Sequence, residues 1–278
     1  MHPRTDHLID LALEEDAGLG DLTSRSIFPR GHRSRAYMEA GEDLVLCGVD
    51  VAARVFSRVD PAARVRILAP DGSRVARRSK VLEVRGLTEP ILTAERTALN
   101  FVQRLSGIAT QARRYAARVE GTGVRVVDTR KTTPGFRALE KYAVRLGGCA
   151  NHRSSLGEHV LIKDNHIAAA GSLGRAVARA RAGAPHLCRI EVEAKTLAEV
   201  RSALRAGADV ILLDNMNPLQ VARAVALIAG GALVEVSGGV RFETLLDYAL
   251  PGVDVISVGA LTHSAPAADL SLTIAAAR

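Results

Sequence analysis

The sequence predicts a two-part α/β protein in which a small antiparallel sheet precedes an α/β barrel. Three observations lead to this fold class. Short alternating apolar segments dominate from Ala36 to about Leu87, six strand-like runs alternate with helical runs after Gly123, and no GxGxxG follows the first of those strands. Repeated βα units favour a closed parallel barrel, whereas a dinucleotide-binding sheet would need the glycine motif.

The N-terminal part begins with a helix and continues into the small sheet. Residues 6–16 show helical apolar spacing, which breaks at Gly18 and Gly20. Residues 65–75 (VRILAPDGSRV) are centred on Pro-Asp-Gly, so they predict a hairpin. Residues 49–59 predict a helix that lies against the sheet.

A long helical region links the sheet to the barrel units. Pro90 suits the first turn of a helix, and Gly107 is expected to end it. A second helix should then run to about Gly121. After that point the pattern changes to alternating strands and helices.

The C-terminal part supplies the barrel. Its strand candidates are residues 124–128, 159–163, 189–193, 209–214, 233–237 and 253–259. Helical runs separate them at residues 143–148, 173–183, 197–207, 218–230 and 241–250. Most of the strands are continuous apolar runs, as expected for a buried parallel sheet. Their carboxyl ends should meet at one mouth, which is where such barrels carry out chemistry.

Composition excludes several classes of protein. Hydrophobic residues make up 47% and charged residues 24%, as in soluble globular proteins, and no apolar run approaches the roughly 18 residues of a membrane span. The first ten residues do not resemble a secretory signal. The three cysteines, Cys47, Cys149 and Cys188, form no CxxC, so neither a disulfide framework nor a zinc site is indicated. We therefore expect a cytoplasmic protein without a membrane partner.

The net charge of +7 raises nucleic acid as a partner, but the distribution of charge argues against it. Basic residues alternate with acidic ones, and the chain has no Trp and only 3% aromatic residues for base stacking. Only five of the 37 basic residues are lysines. Two of these, Lys131 and Lys163, directly follow predicted strands, which indicates a role for them at the mouth.

Polar residues follow every predicted barrel strand. In chain order they are Thr129, Arg130 and Lys131; Lys163; Glu193; Asp214; Ser237, Gly238 and Gly239; and Gly259. The adjacent cations Arg130 and Lys131 indicate an anionic ligand. The glycines after the last two strands stand where barrels commonly hold phosphate with backbone N–H groups, so a phosphate monoester is expected. Any one residue also has a purely structural reading, such as Asp214 capping the helix that Pro218 opens, but their convergence favours a site.

The carboxylates and the linker leave several chemistries open. Glu193 and Asp214 are suited to sugar hydroxyls, to Mg²⁺ or to acid/base work. Lys163 would also suit a Schiff-base aldolase if its pKa were lowered. If the linker at residues 147–153 folds inward, His152 and Arg153 join Arg130, and these donors match a planar dicarboxylate.

Long motifs in the right order make the chain resemble the quinolinate phosphoribosyltransferase family. They are EEDAGLGDLTS, LTAERTALNFVQRLSGIAT, DTRKTTPGFRALEKYAVRLGG, NHRSSLGEHVLIKDNHI, IEVEAKT, ADVILLDN, VEVSGGV and GVDVISVGALTHS, and they cover almost the whole chain. The resemblance implies transfer of phosphoribosyl from phosphoribosyl pyrophosphate to quinolinate with decarboxylation, giving nicotinate mononucleotide, pyrophosphate and CO₂ in NAD synthesis, with Mg²⁺.

The resemblance also implies an architecture. An N-terminal α/β sandwich (residues 1–107) would precede an incomplete α/β, TIM-like barrel (residues 108–264), and the tail (about 265–278) would pack back on the first domain. The family forms homodimers in which one subunit's N-terminal domain covers the barrel mouth of the other. Arg96 would therefore reach the site from the partner subunit.

Roles for individual residues follow from the matching motifs. The resemblance implies that quinolinate is bound by Arg96, Thr129, Arg130, His152, Arg153 and Lys163. It assigns the phosphoribosyl group to Lys131, Glu193, Asp214, Ser237, Gly238, Gly239, Val258, Gly259 and Ala260. The residues closest to the chemistry would be Lys131, Lys163, Glu193 and Asp214, with Glu193 and Asp214 facing the metal directly or through water or ribose. No role is implied for the segment Gly20-Asp21-Leu22-Thr23.

Two positions depart from the family pattern. Cys149 and Ser155 stand where glycine is usual. If either backbone needs a positive φ, the side chain is expected to cost stability and to displace His152, which would lower efficiency. A related group associated with molybdenum transport shares the fold and a TRK-type motif, but lacks the NHR and KDNH patterns seen here.

Overall fold

The structure, a computed structural model, describes residues 4–275 and divides into two compact units. The first contains residues 4–113, 133–148 and 264–275, and the second contains residues 114–132 and 149–263. The ends of the predicted N-terminal domain and tail, residues 1–3 and 276–278, lie outside the described residues. The predicted boundary after residue 107 stays a prediction.

The described residues form 12 strands and 11 helices, and the helical run expected at residues 143–148 begins earlier, at Arg137. The strands are β1 (Arg33–Ala40), β2 (Leu44–Val45), β3 (Arg64–Ile67), β4 (Arg74–Val75), β5 (Lys80–Leu87), β6 (Arg125–Val127), β7 (Val160–Ile162), β8 (Ile190–Ala194), β9 (Val210–Asp214), β10 (Leu233–Ser237), β11 (Val255–Ser257) and β12 (Leu270–Ile274). The helices are α1 (Arg4–Ala17), α2 (Leu22–Ile27), α3 (Val49–Val59), α4 (Thr88–Arg118), α5 (Arg137–Leu146), α6 (Asp164–Ala170), α7 (Leu173–Gly183), α8 (Leu197–Arg205), α9 (Pro218–Ile228), α10 (Leu245–Tyr248) and α11 (Ala260–His263). The predicted helix over residues 241–250 shortens to the four residues of α10.

The first unit is built on an antiparallel sheet with strand order β12-β1-β5-β3. Strand β1 alternates between buried and more exposed residues, with Ala36, Met38 and Ala40 turned towards the core. Helix α3 buries Val51, Val55 and neighbouring apolar residues, as its spacing predicted. The predicted N-terminal sheet domain is confirmed, and its fourth strand comes from the C-terminal segment, because β12 pairs with β1.

The hairpin predicted at residues 65–75 is wrong. The turn itself forms, since the Ser73 N–H donates to the Pro70 carbonyl at 3.1 Å and Gly72 has a φ of 88°. The flanking strands nevertheless take different partners, because β3 pairs with β5 and β4 pairs with β2. The pairing of β4 with β2 places Val75 opposite Leu44, and both side chains are buried. Burial of these side chains therefore decides that β4 pairs with β2 and not with β3.

The predicted helix end at Gly107 is also wrong, because α4 runs unbroken for 31 residues. A Cβ at Gly107 would lie 1.9 Å from the carbonyl oxygen of Pro266, so glycine is required there by the close approach of another segment. The packing outweighs the roughly 1 kcal/mol that glycine costs inside a helix. Neither α4 nor any other described helix is both long and apolar enough to cross a membrane.

The second unit contains a parallel sheet of six strands in the order β6-β11-β10-β9-β8-β7. All six strand predictions are confirmed. One face is apolar and includes Val192, Ile211 and Val236, all fully buried, while α7, α8 and α9 lie beside these strands. Along residues 4–275 the sheet begins at β6 and ends at β7, which agrees with an incomplete α/β barrel.

Candidate active site

The sheet order brings the ends of all six parallel strands to one edge. Asp214 and Ser237 are direct neighbours in the register, and Ser237 is in turn paired with Ser257. The segment after β6 lies beside the loop after β11, because β6 and β11 are adjacent. The structure therefore gathers these predicted residues around one mouth: Thr129, Arg130, Lys131, Lys163, Glu193, Asp214, Ser237, Gly238, Gly239, Val258, Gly259 and Ala260.

Lys131 lies next to the loop that follows β11. The hydroxyl of the buried Thr262 donates to the Lys131 carbonyl at 2.7 Å, and the Lys131 N–H donates to the Thr129 hydroxyl at 3.0 Å. A Cβ at Gly259 would lie 3.1 Å from Cδ of Lys131, so the lysine side chain passes directly over this glycine. Lys131 is thus a cation at the glycine-rich end of the mouth.

The glycines after β10 are required by backbone geometry. Gly238 and Gly239 have φ values of 90° and 66°, in the left-handed region that favours glycine. A Cβ on Gly238 would also lie 2.4 Å from Oδ1 of Asn215. Asn215 itself has a φ of 55°, and its N–H donates to the Ser237 carbonyl at 2.9 Å. The loops after β9 and β10 therefore approach each other closely, and a side chain at Gly238 would collide with Asn215.

Two carboxylates near the mouth are paired with lysines. Nζ of Lys163 lies 2.6 Å from Oε2 of Glu193, and the Lys163 side chain is 47% exposed. The Lys163 side chain is thus directed at a carboxylate of the neighbouring strand. A second pair joins Nζ of Lys195 to Oδ2 of Asp164 at 2.8 Å, and these residues lie just after β8 and β7.

Asp214 does not cap the helix that follows it. The side chain of Asn217 accepts the N–H of Gln220 at 3.0 Å and caps α9, so the structural reading of Asp214 is wrong. Asp214 is half-buried at the end of β9, and its Oδ1 accepts from Nδ2 of Asn215 at 3.0 Å. Its carboxylate therefore belongs to the mouth.

The loop that carries His152 and Arg153 lies beside β6. Ala150 forms a parallel bridge with Val127, and the Ala150 N–H donates to the Val126 carbonyl at 2.9 Å. The fully buried Asp128 continues this anchoring, since its Oδ1 accepts the His152 N–H at 2.9 Å. The sequence interpretation assigned no role to Asp128, because it considered only the cations Arg130 and Lys131 that follow it.

Arg153 and Arg130 come close enough to affect each other. Burial, and next the charge of Arg130, lower the pKa of the Arg153 guanidinium. Its Nη1 donates to the His159 carbonyl at 2.8 Å, and only 9% of the residue is exposed. Two like charges gathered in a partly buried place create a strong preference for an anion.

Two buried glutamates beneath the mouth were missed. Nε2 of His152 lies 3.3 Å from Oε2 of Glu191 and 3.5 Å from Oε1 of Glu235. Burial, and next the charge of Glu191, raise the pKa of Glu235 to about 7. The available signal was the alternation in IEVE and VEVS, which puts these glutamates on the same strand faces as Glu193 and Ser237.

The two departures from the family pattern cause no backbone strain. Within residues 4–275 the only residues other than glycine with positive φ are Arg78, Asn215 and Ala229. The left-handed position belongs to Gly148, with a φ of 97°, and not to Cys149 or Ser155. Burial raises the pKa of the Cys149 thiol to about 12, so this side chain acts as an apolar group. The expected cost at these positions is therefore absent.

Two predicted residues belong to the first unit. Arg96 is exposed on α4. Asp21, whose segment had no assigned role, caps α2 because its Oδ1 accepts the Ser24 N–H at 2.9 Å. Its contribution is therefore to local structure.

The fold is that of an α/β-barrel enzyme, and its charged residues gather at the carboxyl ends of the strands, where such barrels carry out chemistry. The family description "Quinolinate phosphoribosyl transferase, N-terminal domain" matches residues 21–106, and the corresponding C-terminal domain matches residues 108–273. The chain belongs to the quinolinate phosphoribosyl transferase family.

Known proteins similar to the chain agree with this assignment. The chain is 40% identical to a probable nicotinate-nucleotide pyrophosphorylase [carboxylating] of Bacillus subtilis, over 98% of this chain and 94% of the relative. It is 43% identical to the nicotinate-nucleotide pyrophosphorylase [carboxylating] of Mycobacterium leprae, over 95% of this chain and 94% of the relative. The crystal structure of NadC from Streptococcus pyogenes has a TM-score of 0.93 at 40% identity and covers 99% of both chains.

Proposed function

We propose that the chain transfers phosphoribosyl from phosphoribosyl pyrophosphate to quinolinate, with decarboxylation, and releases nicotinate mononucleotide, pyrophosphate and CO₂ for NAD synthesis. The observation that carries this proposal is the proximity of Arg130 and Arg153 beside the mouth. Guanidinium groups pair bidentately with carboxylates, and quinolinate presents two of them on adjacent ring carbons. The names of the relatives support the same reaction.

The substrates divide the mouth between them. Quinolinate is bound by Thr129, Arg130, His152, Arg153 and Lys163, with Arg96 supplied by a second subunit. The phosphoribosyl group is held by Lys131, Glu193, Asp214, Ser237, Gly238, Gly239, Val258, Gly259 and Ala260. The approach of the Lys131 side chain to Gly259 supports its role in binding the phosphorylated substrate, and the ion pair with Glu193 supports a position of Lys163 between the two substrates.

The residues then account for each bond change. The quinolinate ring nitrogen attacks the anomeric carbon as its bond to pyrophosphate breaks, and the transition state resembles an oxocarbenium ion. Glu193 and Asp214 stabilise this positive charge, and Lys131 and Lys163 neutralise the departing pyrophosphate. Loss of CO₂ from the carbon next to nitrogen leaves an electron pair, which the positive pyridinium nitrogen stabilises until that carbon is protonated.

We further propose that Mg²⁺ is the cofactor. Glu193 and Asp214 fit it, because they present half-buried carboxylate oxygens at the ends of adjacent strands, and hard oxygen ligands are those Mg²⁺ prefers. When bound, Mg²⁺ would neutralise charge on the pyrophosphoryl group. The proposed assembly is a cytoplasmic homodimer, with the domain boundary after residue 107.

Removing divalent cations is expected to abolish turnover. EDTA should stop product formation and added Mg²⁺ should restore it, while Asp214→Asn should need about tenfold more Mg²⁺ for half-maximal rate. Asp247→Asn, an exposed carboxylate on α10, serves as the matched control. Full activity in EDTA, or equal Mg²⁺ requirements for both variants, would contradict the assignment.

The reaction itself is tested by incubating the protein with quinolinate, phosphoribosyl pyrophosphate and Mg²⁺. We expect nicotinate mononucleotide and CO₂ in equal amounts, and no product when nicotinate replaces quinolinate. Nicotinate should fail because it has one carboxylate, whereas the proposed arginine site binds the two carboxylates of quinolinate. Product from nicotinate alone, or none from either acid with a folded protein, would refute the proposal.

A further inference from the structure

A buried cluster of two acids and an imidazole lies beneath the anion-binding mouth. Glu191 on β8 and Glu235 on β10 are 6% and 5% exposed, and both approach Nε2 of His152. Their side chains project from the same face of the sheet, because Glu191 pairs with Val210, Glu235 with Leu212, and these two residues lie two apart on β9. Carboxylates near bound anions repel them, so their presence requires an explanation.

The hydrogen bonding of His152 explains their position. The Arg153 N–H donates to Nδ1 of His152 at 2.7 Å, so Nδ1 acts as an acceptor. In the neutral ring the proton is then on Nε2, which faces both carboxylates. Ligand atoms of the three side chains lie within 4.8 Å of one another, but a metal at Nε2 would displace the one N–H proton of the neutral ring, while Nδ1 is already occupied as an acceptor. The hydrogen bonding therefore argues against a metal site.

Asp128 holds the main chain beside the imidazole. Its Oδ1 accepts the His152 N–H at 2.9 Å, and its Oδ2 accepts from Nδ2 of Asn151 at 2.6 Å. The ring and the backbone of His152 are thus attached to different strands of the sheet. Arg153 follows directly, so its backbone position depends on both attachments.

We propose that Glu235, together with Glu191, is a positioning residue that orients the His152 ring and thereby the backbone from which Arg153 reaches quinolinate. Ser257 on β11 hydrogen-bonds to Glu235 and connects the cluster to a third strand. The inference rests on the proposed function, in which Arg153 binds a carboxylate of quinolinate. It assigns the buried acids to orientation of the anion site and not to contact with the anion.

The test compares Glu235→Leu with Glu235→Gln. Leucine removes the carboxylate whose Oε1 lies 3.5 Å from Nε2 of His152, and we expect the KM for quinolinate to rise about tenfold, as when a side chain that orients a site residue is lost. The KM for phosphoribosyl pyrophosphate should stay within about twofold, and glutamine, which keeps an acceptor oxygen, should recover most of the loss. Glu243→Gln, an exposed carboxylate of the same unit, should behave as the parent protein.

Several outcomes would overturn the proposal. An unchanged quinolinate KM in folded Glu235→Leu refutes positioning, and equal changes in both KM values indicate a merely structural role. If the leucine variant does not fold, ¹⁵N NMR of the histidines in the parent protein decides, because the proposal requires the Nε2–H form of His152 and an Nδ1–H form refutes it. The NMR measurement needs no turnover, so it stays valid if the parent is inactive on quinolinate and the proposed function fails.

Discussion

Replacement of Arg153 by lysine is expected to lower kcat/KM for quinolinate by about 100- to 1000-fold, because it disrupts the hydrogen bonds of a desolvated charge pair. Lysine keeps the positive charge but loses the planar fork that holds a carboxylate by two hydrogen bonds. It also cannot bind quinolinate and the His159 carbonyl with the geometry that Arg153 uses. The KM for phosphoribosyl pyrophosphate should change little, because that substrate is assigned to other residues.

Steady-state kinetics with each substrate varied in turn provide this measurement. Arg201→Lys is the matched control, since Arg201 is exposed on α8 and has no part in the proposed site. The control should retain the parent values. If Arg153→Lys keeps kcat/KM within about threefold of the parent, the loss expected for a buried charge pair is absent and Arg153 does not bind a carboxylate.

Arg96→Ala is expected to abolish turnover while leaving the fold intact. Arg96 is exposed on α4, and replacement of an exposed side chain usually changes stability by less than about 0.5 kcal/mol. The expected loss follows from the proposal that this guanidinium completes the quinolinate site of a second subunit. Turnover and the thermal unfolding midpoint of the purified variant measure the two effects separately.

Mixing inactive variants tests whether the site is shared. Arg96→Ala and Asp214→Ala should regain activity together, because a mixed dimer has one site in which both residues are intact. Random exchange in a twofold-symmetric dimer predicts about 25% of the parent activity. A double variant carrying both changes, mixed with Arg96→Ala, should stay inactive. Failure of the first mixture, after exchange is verified with tagged subunits, would argue against the shared site.

The barrel strands and the residues at their ends were predictable from sequence. Each strand is a short apolar run, and the residue after it is identified by counting, so Lys163, Glu193 and Asp214 needed no tertiary information. The positive φ values of Gly238 and Gly239 agree with the turn expected there. The buried glutamates were missed because an apolar run containing one glutamate still reads as a buried strand.

Whether Cys149 and Ser155 strain the backbone depends on its φ angles, which the sequence does not reveal. A glycine position is costly to replace only if the backbone has a positive φ or another group approaches closely. Gly148 meets the first condition, and Gly147 meets the second, because a Cβ there would lie 2.4 Å from the Ala109 carbonyl oxygen. The backbone at Cys149 has no positive φ, so a thiol side chain is tolerated there.

The sequence by itself determined the order and type of the elements and the cations, carboxylates and glycines of the mouth. These features depend on local spacing and on chain order, and both can be read along the chain. Only the tertiary structure decided that α4 continues through Gly107, that β3 and β4 take different partners, and that Glu191 and Glu235 meet His152. Each of these outcomes depends on burial against residues distant in sequence, and such contacts leave little trace in local patterns.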